Sequence, residues 1–336
     1  MQDVVTAADQ LPSGWRDVQS PGHYRLERRE DEAVFGHVVG PHSPRRLFHL
    51  PEERLFQLRR RDEGFAVVPE VVEAPKIALL GARACDLAAL AIQDRVLRDV
   101  DPRYAARRSD VIVVAVSCNE PGGTCFCASL GTGPTPTTGF DLSLTELLDP
   151  HRFVVTIGSE LGAALADALK LGLASEADLT ASRTLGEAAA RAMGRQLDPE
   201  GLREALYEAA EHPHWNRVAE RCLTCASCTL VCPTCFCSRM TDRTSLDGAT
   251  AERSRSWDSC FSLDHSYMHG GVARSGGAAR YRQWLTHKLA TWIDQFGTSG
   301  CVGCGRCITW CPAGIDITEE AAALREEPLP PRSRRL

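Results

Sequence analysis

Short apolar runs alternate with helical patterns in the first half of the chain. Residues 76–80, 111–116 and 153–157 have the length and apolar character of buried strands. Residues 86–92 and 161–171, which follow two of these runs, have apolar positions at helical spacing. Strands that alternate with helices predict a mainly parallel sheet, with functional loops at the carboxyl ends of its strands.

From about residue 185 onward the pattern is helical. Residues 185–193 and 199–210 have helical periodicity, and residues 278–296 form a long amphipathic pattern. The apolar face of this last helix contains Tyr281, Trp284, Leu285, Leu289, Trp292 and Ile293. The first 60 residues are polar and mixed, and only residues 47–50 and, just beyond them, 65–68 are predicted as short strands.

Length and composition indicate an ordinary globular protein. The 336 residues are 43% hydrophobic and 24% charged, and a chain of this length is expected to form two domains. Because 44 acidic residues against 38 basic ones give a net charge of −6, nucleic acid is not expected as a main partner. No export signal opens the chain and its apolar runs are too short to span a bilayer, so we expect a cytoplasmic protein without a membrane span.

Two cysteine runs with the same spacing lie in the second half of the chain. The first run (residues 222–233) and the second run (residues 301–312) both follow the pattern C-x-x-C-x-x-C-x-x-x-C-P. This spacing is typical of ferredoxin-type iron–sulfur ligation, in which three cysteines hold one cluster and the fourth reaches the neighbouring cluster. Zinc ribbons favour cysteine pairs or cysteine–histidine mixtures, and a disulfide framework is typical of exported proteins, so both alternatives are disfavoured.

The cross-over rule divides the eight cysteines of the runs between two [4Fe-4S] clusters. The first set, expected to hold cluster 1, is Cys222, Cys225, Cys228 and Cys311. The second set, expected to hold cluster 2, is Cys301, Cys304, Cys307 and Cys232. Gly303 and Gly305 lack a Cβ atom and are expected to let main-chain N–H groups approach cluster sulfur. Pro233 and Pro312 turn the chain away after each fourth cysteine.

Four further cysteines follow two neighbouring predicted strands. Cys85 comes after the strand at residues 76–80, and Cys118, Cys125 and Cys127 lie in the loop after the next strand. Loops that follow parallel neighbouring strands emerge at one edge of the sheet, so the four thiols are expected to meet there. A third [4Fe-4S] cluster on this third set is one interpretation, and thiols buried at an interface or a redox dithiol are the alternatives.

Three cysteines remain outside the three sets: Cys235, Cys237 and Cys260. The sequence Thr-Cys-Phe-Cys at residues 234–237 repeats residues 124–127. A cluster on these three cysteines would need a fourth ligand, which the spacing does not identify. We therefore interpret them as packing residues around clusters 1 and 2.

These observations predict an α+β protein of two domains. Residues 1–190 are expected to form an α/β domain with a mainly parallel sheet and the possible third cluster site. Residues 191–325 are expected to form a helical ferredoxin-like domain with two [4Fe-4S] clusters, because the segment between the cysteine runs is too long for a compact βαβ ferredoxin and is interpreted as a helical insertion. Residues 326–336, rich in proline and arginine, are predicted to be a disordered tail.

Several motifs beyond the cysteine runs resemble those of one family. They are Gly-Ala-Arg-Ala-Cys-Asp-Leu at residues 81–87, Ser-Cys-Asn-Glu-Pro-Gly-Gly-Thr-Cys-Phe-Cys at residues 117–127, Cys-Pro-Thr-Cys-Phe-Cys at residues 232–237 and Trp-Asp-Ser-Cys at residues 257–260. In these motifs the chain resembles the iron–sulfur beta subunit of cytosolic, sulfhydrogenase-type NiFe hydrogenases and the similar A subunit of anaerobic sulfite reductase. The resemblance covers roughly residues 35–320.

The resemblance implies a non-catalytic electron-transfer subunit. In this family, electrons pass between a flavin subunit that handles NAD(P)H and a catalytic subunit with a NiFe centre or sirohaem. It therefore implies, as partners, a flavin subunit that binds FAD and NAD(P), and the small and large hydrogenase subunits or a sulfite reductase catalytic subunit; we favour hydrogenase. A self-contained reductase with a substrate site in the α/β domain, and clusters with a purely structural role, are the alternatives.

Overall fold

A computed structural model describes residues 4–38 and 40–326 of the chain. The predicted disordered tail lies outside the described residues, apart from Glu326. The strands are β1 (Trp15–Ser20), β2 (His23–Arg28), β3 (Glu52–Arg60), β4 (Phe65–Pro69), β5 (Ile77–Ala82), β6 (Val111–Val116), β7 (Leu142–Leu148), β8 (His151–Ile157), β9 (Ser238–Thr244), β10 (Thr250–Trp257), β11 (Tyr267–Met268) and β12 (Gly271–Val272).

The helices vary from single turns to the long α2 and α5. They are α1 (Arg45–Phe48), α2 (Ala84–Leu97), α3 (Pro102–Ser109), α4 (Glu160–Ala168), α5 (Glu176–Arg191), α6 (Leu202–Glu208), α7 (His214–Arg221), α8 (Ser227–Leu230), α9 (Gly277–Thr286), a π-helical turn (His287–Thr291), α10 (Trp292–Phe296), α11 (Arg306–Thr309) and α12 (Ile317–Glu326). Within the described ranges, none of the helices has both the length and the apolar character that crossing a membrane requires.

The first half of the chain contains a four-stranded sheet in the order β5–β6–β7–β8. The pairs β5–β6 and β6–β7 are parallel, whereas β7 and β8 are antiparallel. The three strands predicted from apolar runs are therefore present, and the sheet is parallel in its greater part. Strand β7 is absent from the sequence-based prediction because its leucine-rich sequence, with Thr145 and Glu146, fits a helix as well as a strand.

The carboxyl ends of β5 and β6 lie at the same edge of this sheet. Helix α2 begins at Ala84, immediately after β5, and the Asp86 carboxylate caps it by accepting a hydrogen bond from the N–H of Arg83 at 3.1 Å. This arrangement places Cys85 in the first turn of α2 and Cys118 just beyond the end of β6. Cys85 is thus part of a helix and not of a free loop.

A second four-stranded sheet, antiparallel throughout, has the order β4–β3–β10–β9. The strand predicted at residues 65–68 is β4, but the segment between the cysteine runs is not a purely helical insertion, because it supplies β9 and β10. These two strands are rich in charged residues, and the ion pair between Arg253 and Asp242 (2.7 Å) joins them. Apolar periodicity gives no signal for such a ribbon.

The strand predicted at residues 47–50 is wrong, because Arg45–Phe48 form the helical turn α1. Pro44 precedes the turn with helical backbone angles. Phe48 is fully buried, and its ring packs edge-on against that of Tyr104 with the ring centres 6.5 Å apart. Packing of Phe48 against α3 therefore decides this conformation.

The largest core is formed by helices and includes both cysteine runs at its margin. Helices α6, α7, α9 and α12 enclose it, and the predicted amphipathic segment at residues 278–296 is α9, the π-helical turn and α10. Phe126, which comes from the loop after β6, is fully buried in the same core. The domain boundary near residue 190 stays a prediction, and both this core and the second sheet join residues from its two sides.

The N-terminal hairpin of β1 and β2 lies against the second cysteine run. The N–H of Gly22 donates to the carbonyl of Ile308 at 3.1 Å, and the rings of Tyr24 and Trp310 stack with their centres 5.3 Å apart. Gln19 Oε1 accepts hydrogen bonds from the hydroxyl of Thr309 at 2.8 Å and from the hydroxyl of Thr124 at 3.0 Å. The hairpin thereby links the second run to the loop that follows β6.

Candidate metal centres

The four thiols of the first set line one small cavity of about 30 Å³. Its wall also includes Cys307, Phe261, Tyr281, Trp284 and Ile315. The structure thus brings Cys311 of the second run together with Cys222, Cys225 and Cys228 of the first. The aromatic side chains make the lining mostly apolar, whereas Cys225 is exposed.

Burial raises the pKa of two thiols of the first set, Cys222 and Cys228. Burial raises the pKa of Cys228, and the neighbouring thiols of Cys260, Cys222 and Cys311 raise it further. The N–H of Ile315 donates to the sulfur of Cys311 at 3.3 Å, as backbone amides do around cluster ligands. Conversion of these thiols to thiolates therefore requires that a cation take the place of the protons.

The thiols of the second set are partly buried and lie close together. The pKa of Cys301 is raised to about 12, chiefly by burial and further by Cys304 and Cys232. The hydrogen bond from the Gly303 N–H acts in the opposite direction and lowers it. Burial also raises the pKa of Cys307, with additions from Cys301, Cys304 and Cys232. Cys232 of the first run is therefore the neighbour of three cysteines of the second run, which mirrors the position of Cys311.

Both runs have left-handed backbone at the same two positions. The φ angles are 50° at Thr224 and 66° at Ala226 in the first run, and 62° at Gly303 and 71° at Gly305 in the second. Glycine is needed in the second run because a Cβ atom on Gly305 would lie 2.5 Å from the carbonyl oxygen of Thr124. The Gly303 nitrogen lies 3.4 Å from the sulfur of Cys301, which agrees with the expected approach of main-chain amides to cluster sulfur. Close packing against the loop that contains Phe126 is a second reason for glycine at position 303.

The third set converges at the carboxyl edge of β5 and β6. Its members Cys85, Cys118, Cys125 and Cys127 are all buried. Burial raises the pKa of Cys127 to about 12, and Cys118 and Cys304 raise it further. Burial also raises the pKa of Cys85. The charge of Asp86 raises it further, and Cys127 makes a smaller contribution in the same direction. The structure therefore brings the four thiols together, beside Cys304 of the second set.

The second and third sets are joined by direct contacts. The N–H of Phe126 donates to the carbonyl of Gly303 at 2.8 Å. Arg306, only 4% exposed, forms an ion pair with Asp86 at 2.9 Å. Burial opposes the charge of Arg306, but Asp86, Cys304 and Cys85 raise the pKa of its guanidinium. Within the described residues, the Nε and Nη1 atoms of Arg306 have no hydrogen-bond partner.

The donor sets fit iron–sulfur clusters in their chemistry. Cysteine thiolates are the usual ligands of such clusters, and main-chain N–H groups lie at a sulfur atom of the first set (Cys311) and of the second set (Cys301). In the part of the chain that the structure describes, no group of three or more His, Cys, Asp or Glu side chains is spaced to hold a single metal ion.

Two buried cations near the second set were not identified from the sequence. Lys288 and Arg45 are 4% and 2% exposed. Burial lowers the pKa of the Lys288 ammonium, but the neighbouring Cys232, Cys235 and Cys301 raise it above its ordinary value. The sequence does contain a signal for the burial of Lys288, because this residue lies seven positions after Tyr281, on the apolar face of the amphipathic pattern. No pattern marks Arg45.

The three cysteines interpreted as packing residues lie near the first two sets. Cys260 is the strongest charged neighbour of Cys228, and Cys235 interacts with Cys232. Cys237 interacts with Cys260. Their position beside the two sets agrees with that interpretation and does not exclude a ligand role.

Comparisons with known proteins agree with the chemistry of the cysteine runs. The family model for a 4Fe-4S dicluster domain matches residues 221–315, which include both runs. The chain is 34% identical to the "Sulfhydrogenase 2 subunit beta" of Pyrococcus furiosus over 310 residues, which are 90% of this chain and 89% of that protein. No solved structure gives a significant match. The chain therefore carries a domain for [4Fe-4S] clusters.

Proposed function

Because the chain belongs to the family of sulfhydrogenase-type iron–sulfur beta subunits, we propose that it relays electrons between the partners of a hydrogenase complex. The observation that carries this proposal is the order of the three thiol sets. Cys228 of the first set is a neighbour of Cys307 of the second, and Cys304 of the second set is a neighbour of Cys127 of the third. Clusters supply one-electron chemistry when bound, and the residues of the chain hold them in a row.

The cross-over assignment is the first part of the proposal. Cys222, Cys225, Cys228 and Cys311 hold cluster 1, and Cys301, Cys304, Cys307 and Cys232 hold cluster 2. The shared cavity supports the first assignment, and the mutual interactions of the buried thiols support the second.

Two serine variants test the cross-over. Cys311→Ser should remove or alter the EPR signal of cluster 1, although Cys311 lies beside the ligands of cluster 2 in sequence. Cys232→Ser should damage the opposite cluster. If each run keeps its own cluster intact when the cysteine of the other run is replaced, the assignment is wrong.

The third set is proposed to hold a third [4Fe-4S] cluster. Four buried thiols at one sheet edge, next to Cys304 and the guanidinium of Arg306, support it. Cys118→Ser should lower the iron content by about four atoms per chain and leave the signals of clusters 1 and 2 unchanged. An unaltered chain with about eight irons would contradict this third cluster.

The exposed side of the first set is proposed as one of the docking points of the relay. Cys225 is exposed and the neighbouring Leu223 is 66% exposed, so a partner cofactor can approach this end of the row. We propose a flavin subunit that binds FAD and handles NAD(P)H at one end of the row, and a hydrogenase catalytic module at the other. Purification from native cells under anaerobic conditions should recover the chain with both partners. A monomer that turns over substrate alone would instead identify a self-contained reductase.

A further inference from the structure

The three cysteines outside the proposed sets lie at one end of the β9–β10 ribbon. Ser238, the first residue of β9, pairs with Trp257, the last residue of β10. The N–H of Asp258 then donates to the carbonyl of Cys237 at 2.9 Å. The ribbon therefore brings Cys235 and Cys237, which precede it, to the same place as Cys260, which follows it.

Two buried cations face this place; both donate hydrogen bonds to uncharged groups, and Lys288 also interacts with the sulfur of Cys232. The ammonium of Lys288 donates to the hydroxyl of Thr234 at 2.6 Å and to the carbonyl of Gly300 at 3.2 Å. The guanidinium of Arg45 donates to the carbonyl of Cys232 at 2.9 Å and to that of Thr229 at 3.2 Å.

No carboxylate among the described residues forms an ion pair with Lys288 or Arg45. A buried cation is unfavourable unless a nearby anion neutralises it. The local structure therefore requires negative charge from another source than Asp or Glu.

Cysteine sulfur is the remaining source of that charge. Arg45 interacts with Cys235 most strongly, then with Cys232 and Cys237. Lys288 interacts with Cys235 and also acts on Cys260. Cluster 2 supplies part of this charge through Cys232. Thiolate ligands at Cys235, Cys237 and Cys260 would add negative charge beside both cations.

A histidine is held beside these thiols by a carboxylate. Nδ1 of His265 lies 3.0 Å from Oδ2 of Asp258, and His265 also interacts with the sulfur of Cys237. A carboxylate on one ring nitrogen orients the other nitrogen of a metal-ligating histidine. His265, beside Cys237, is therefore the candidate for the fourth ligand that the cysteine spacing does not supply.

We propose that Cys235, Cys237 and Cys260 hold a further iron–sulfur cluster, with His265 as the ligand of its fourth iron. The Thr-Cys-Phe-Cys sequence at residues 234–237 repeats the one that contributes two thiols to the third set. The site adjoins Cys228 of the first set and Cys232 of the second, so this cluster is a side branch beside clusters 1 and 2. The proposal rests on the proposed function only in that the chain carries iron–sulfur clusters.

Iron counting by Mössbauer spectroscopy and chemical analysis tests the site in the full-length, anaerobically purified chain. With the three proposed sets filled, the unaltered chain should contain about sixteen irons, against about twelve without the further site. Cys237→Ser and Cys260→Ser should each lower the count by about four and leave the reduced-state EPR signals of clusters 1 to 3 in place. Leu263→Ala, which changes an exposed residue (49%) of the same loop without removing a ligand, should keep all the iron.

The histidine is tested separately. His265→Leu should leave a three-cysteine site, with the loss of about one iron and the appearance of the oxidised-state EPR signal of a three-iron cluster. No such signal in His265→Leu, with iron still lost in the cysteine variants, would overturn the role of His265.

Two results would overturn the further cluster itself. The first is an iron count that Cys237→Ser and Cys260→Ser leave unchanged. The second is loss of the signals of clusters 1 or 2 in those variants, which would identify the thiols as packing residues. Neither result contradicts the proposed relay function of the unaltered chain. An unaltered chain without any reducible cluster would overturn that function.

Discussion

The two cysteine runs have identical spacing but very different surroundings. In the first run, Leu223 is 66% exposed and Cys225 faces the surface. In the second run the residue equivalent to Leu223 is Val302, which is 2% exposed. The residue equivalent to Ser227 is Arg306, whose guanidinium is buried beside the third set.

The comparison separates what the ligand spacing decides from what the surroundings decide. The spacing determines the local conformation, because left-handed backbone occurs at the same two positions in both runs. The surroundings determine exposure: the first run has exposed residues beside it, and the second run lies against the loop that carries Cys125 and Cys127. Glycine at positions 303 and 305 belongs to this close packing, since that loop packs against both residues.

Loss of the clusters should produce the largest effect and should reach beyond the runs. Metal binding contributes folding free energy, so removal of iron by chelator and oxidant should abolish amide protection over about residues 195–320. Because Phe126 is bonded to Gly303, the loop at residues 117–127 should lose protection with the second run, while β5 and β6 keep more of theirs. Hydrogen exchange measures this, and equal protection before and after cluster loss would contradict it.

Exchange of alanine and glycine at equivalent positions should have opposite effects in the two runs. Gly305→Ala places a Cβ atom 2.5 Å from the Thr124 carbonyl at a φ of 71°, and should lower the free energy of unfolding by about 2–4 kcal/mol. Ala226→Gly removes the strain of an alanine in the left-handed region. It should raise the free energy of unfolding by about 1 kcal/mol or less. Thermal unfolding and iron content of the two loaded variants provide the measurement. Equal losses in both would show that the second run is not packed more tightly.

Serine at the first variable position of each run should distinguish core from docking surface. Val302→Ser removes buried methyl groups and adds a hydroxyl, so it should destabilise the chain by about 2 kcal/mol. Leu223→Ser should change stability by less than about 0.5 kcal/mol but weaken binding of a partner. Unfolding measurements and co-purification separate the two effects. Unchanged assembly in Leu223→Ser would argue against docking at the first run.

Removal of the buried charge of Arg306 should lower the reduction potential of cluster 2. Arg306→Gln removes a positive charge beside Cys304 and Cys85, so reduction becomes less favourable and the potential of cluster 2 should fall by roughly 50 mV. Arg306→Lys keeps the charge and should retain most of the potential, and Ser227→Ala at the equivalent position should leave cluster 1 unchanged. EPR-monitored potentiometry gives the values.

If Arg306→Gln fails to fold, because it leaves Asp86 buried without a partner, the double variant with Asp86→Asn should restore folding. The reduction potential of cluster 2 in this double variant then shows the effect of removing the guanidinium charge when no unpaired carboxylate is left behind. A potential equal to that of the unaltered chain in Arg306→Gln would show that the charge is screened.

Local patterns in the sequence were sufficient for the elements that depend on near neighbours. The cysteine spacing indicated the cluster domain that the family comparison confirms, and apolar periodicity predicted β5, β6, α2 and the long helix that begins at Gly277. These features depend on residues a few positions apart, whose contacts are repeated wherever the pattern occurs.

Only the tertiary structure showed what depends on contacts between distant segments. Strands β9 and β10 carry no apolar face of their own; β9 pairs with β10, and β10 pairs with β3, which lies far away in sequence. Likewise, Lys288 and Arg45 are significant only because folding buries both beside the same thiols. Spacing along the chain can specify ligands, but the charges and chain segments that surround them are chosen by packing, which no local pattern encodes.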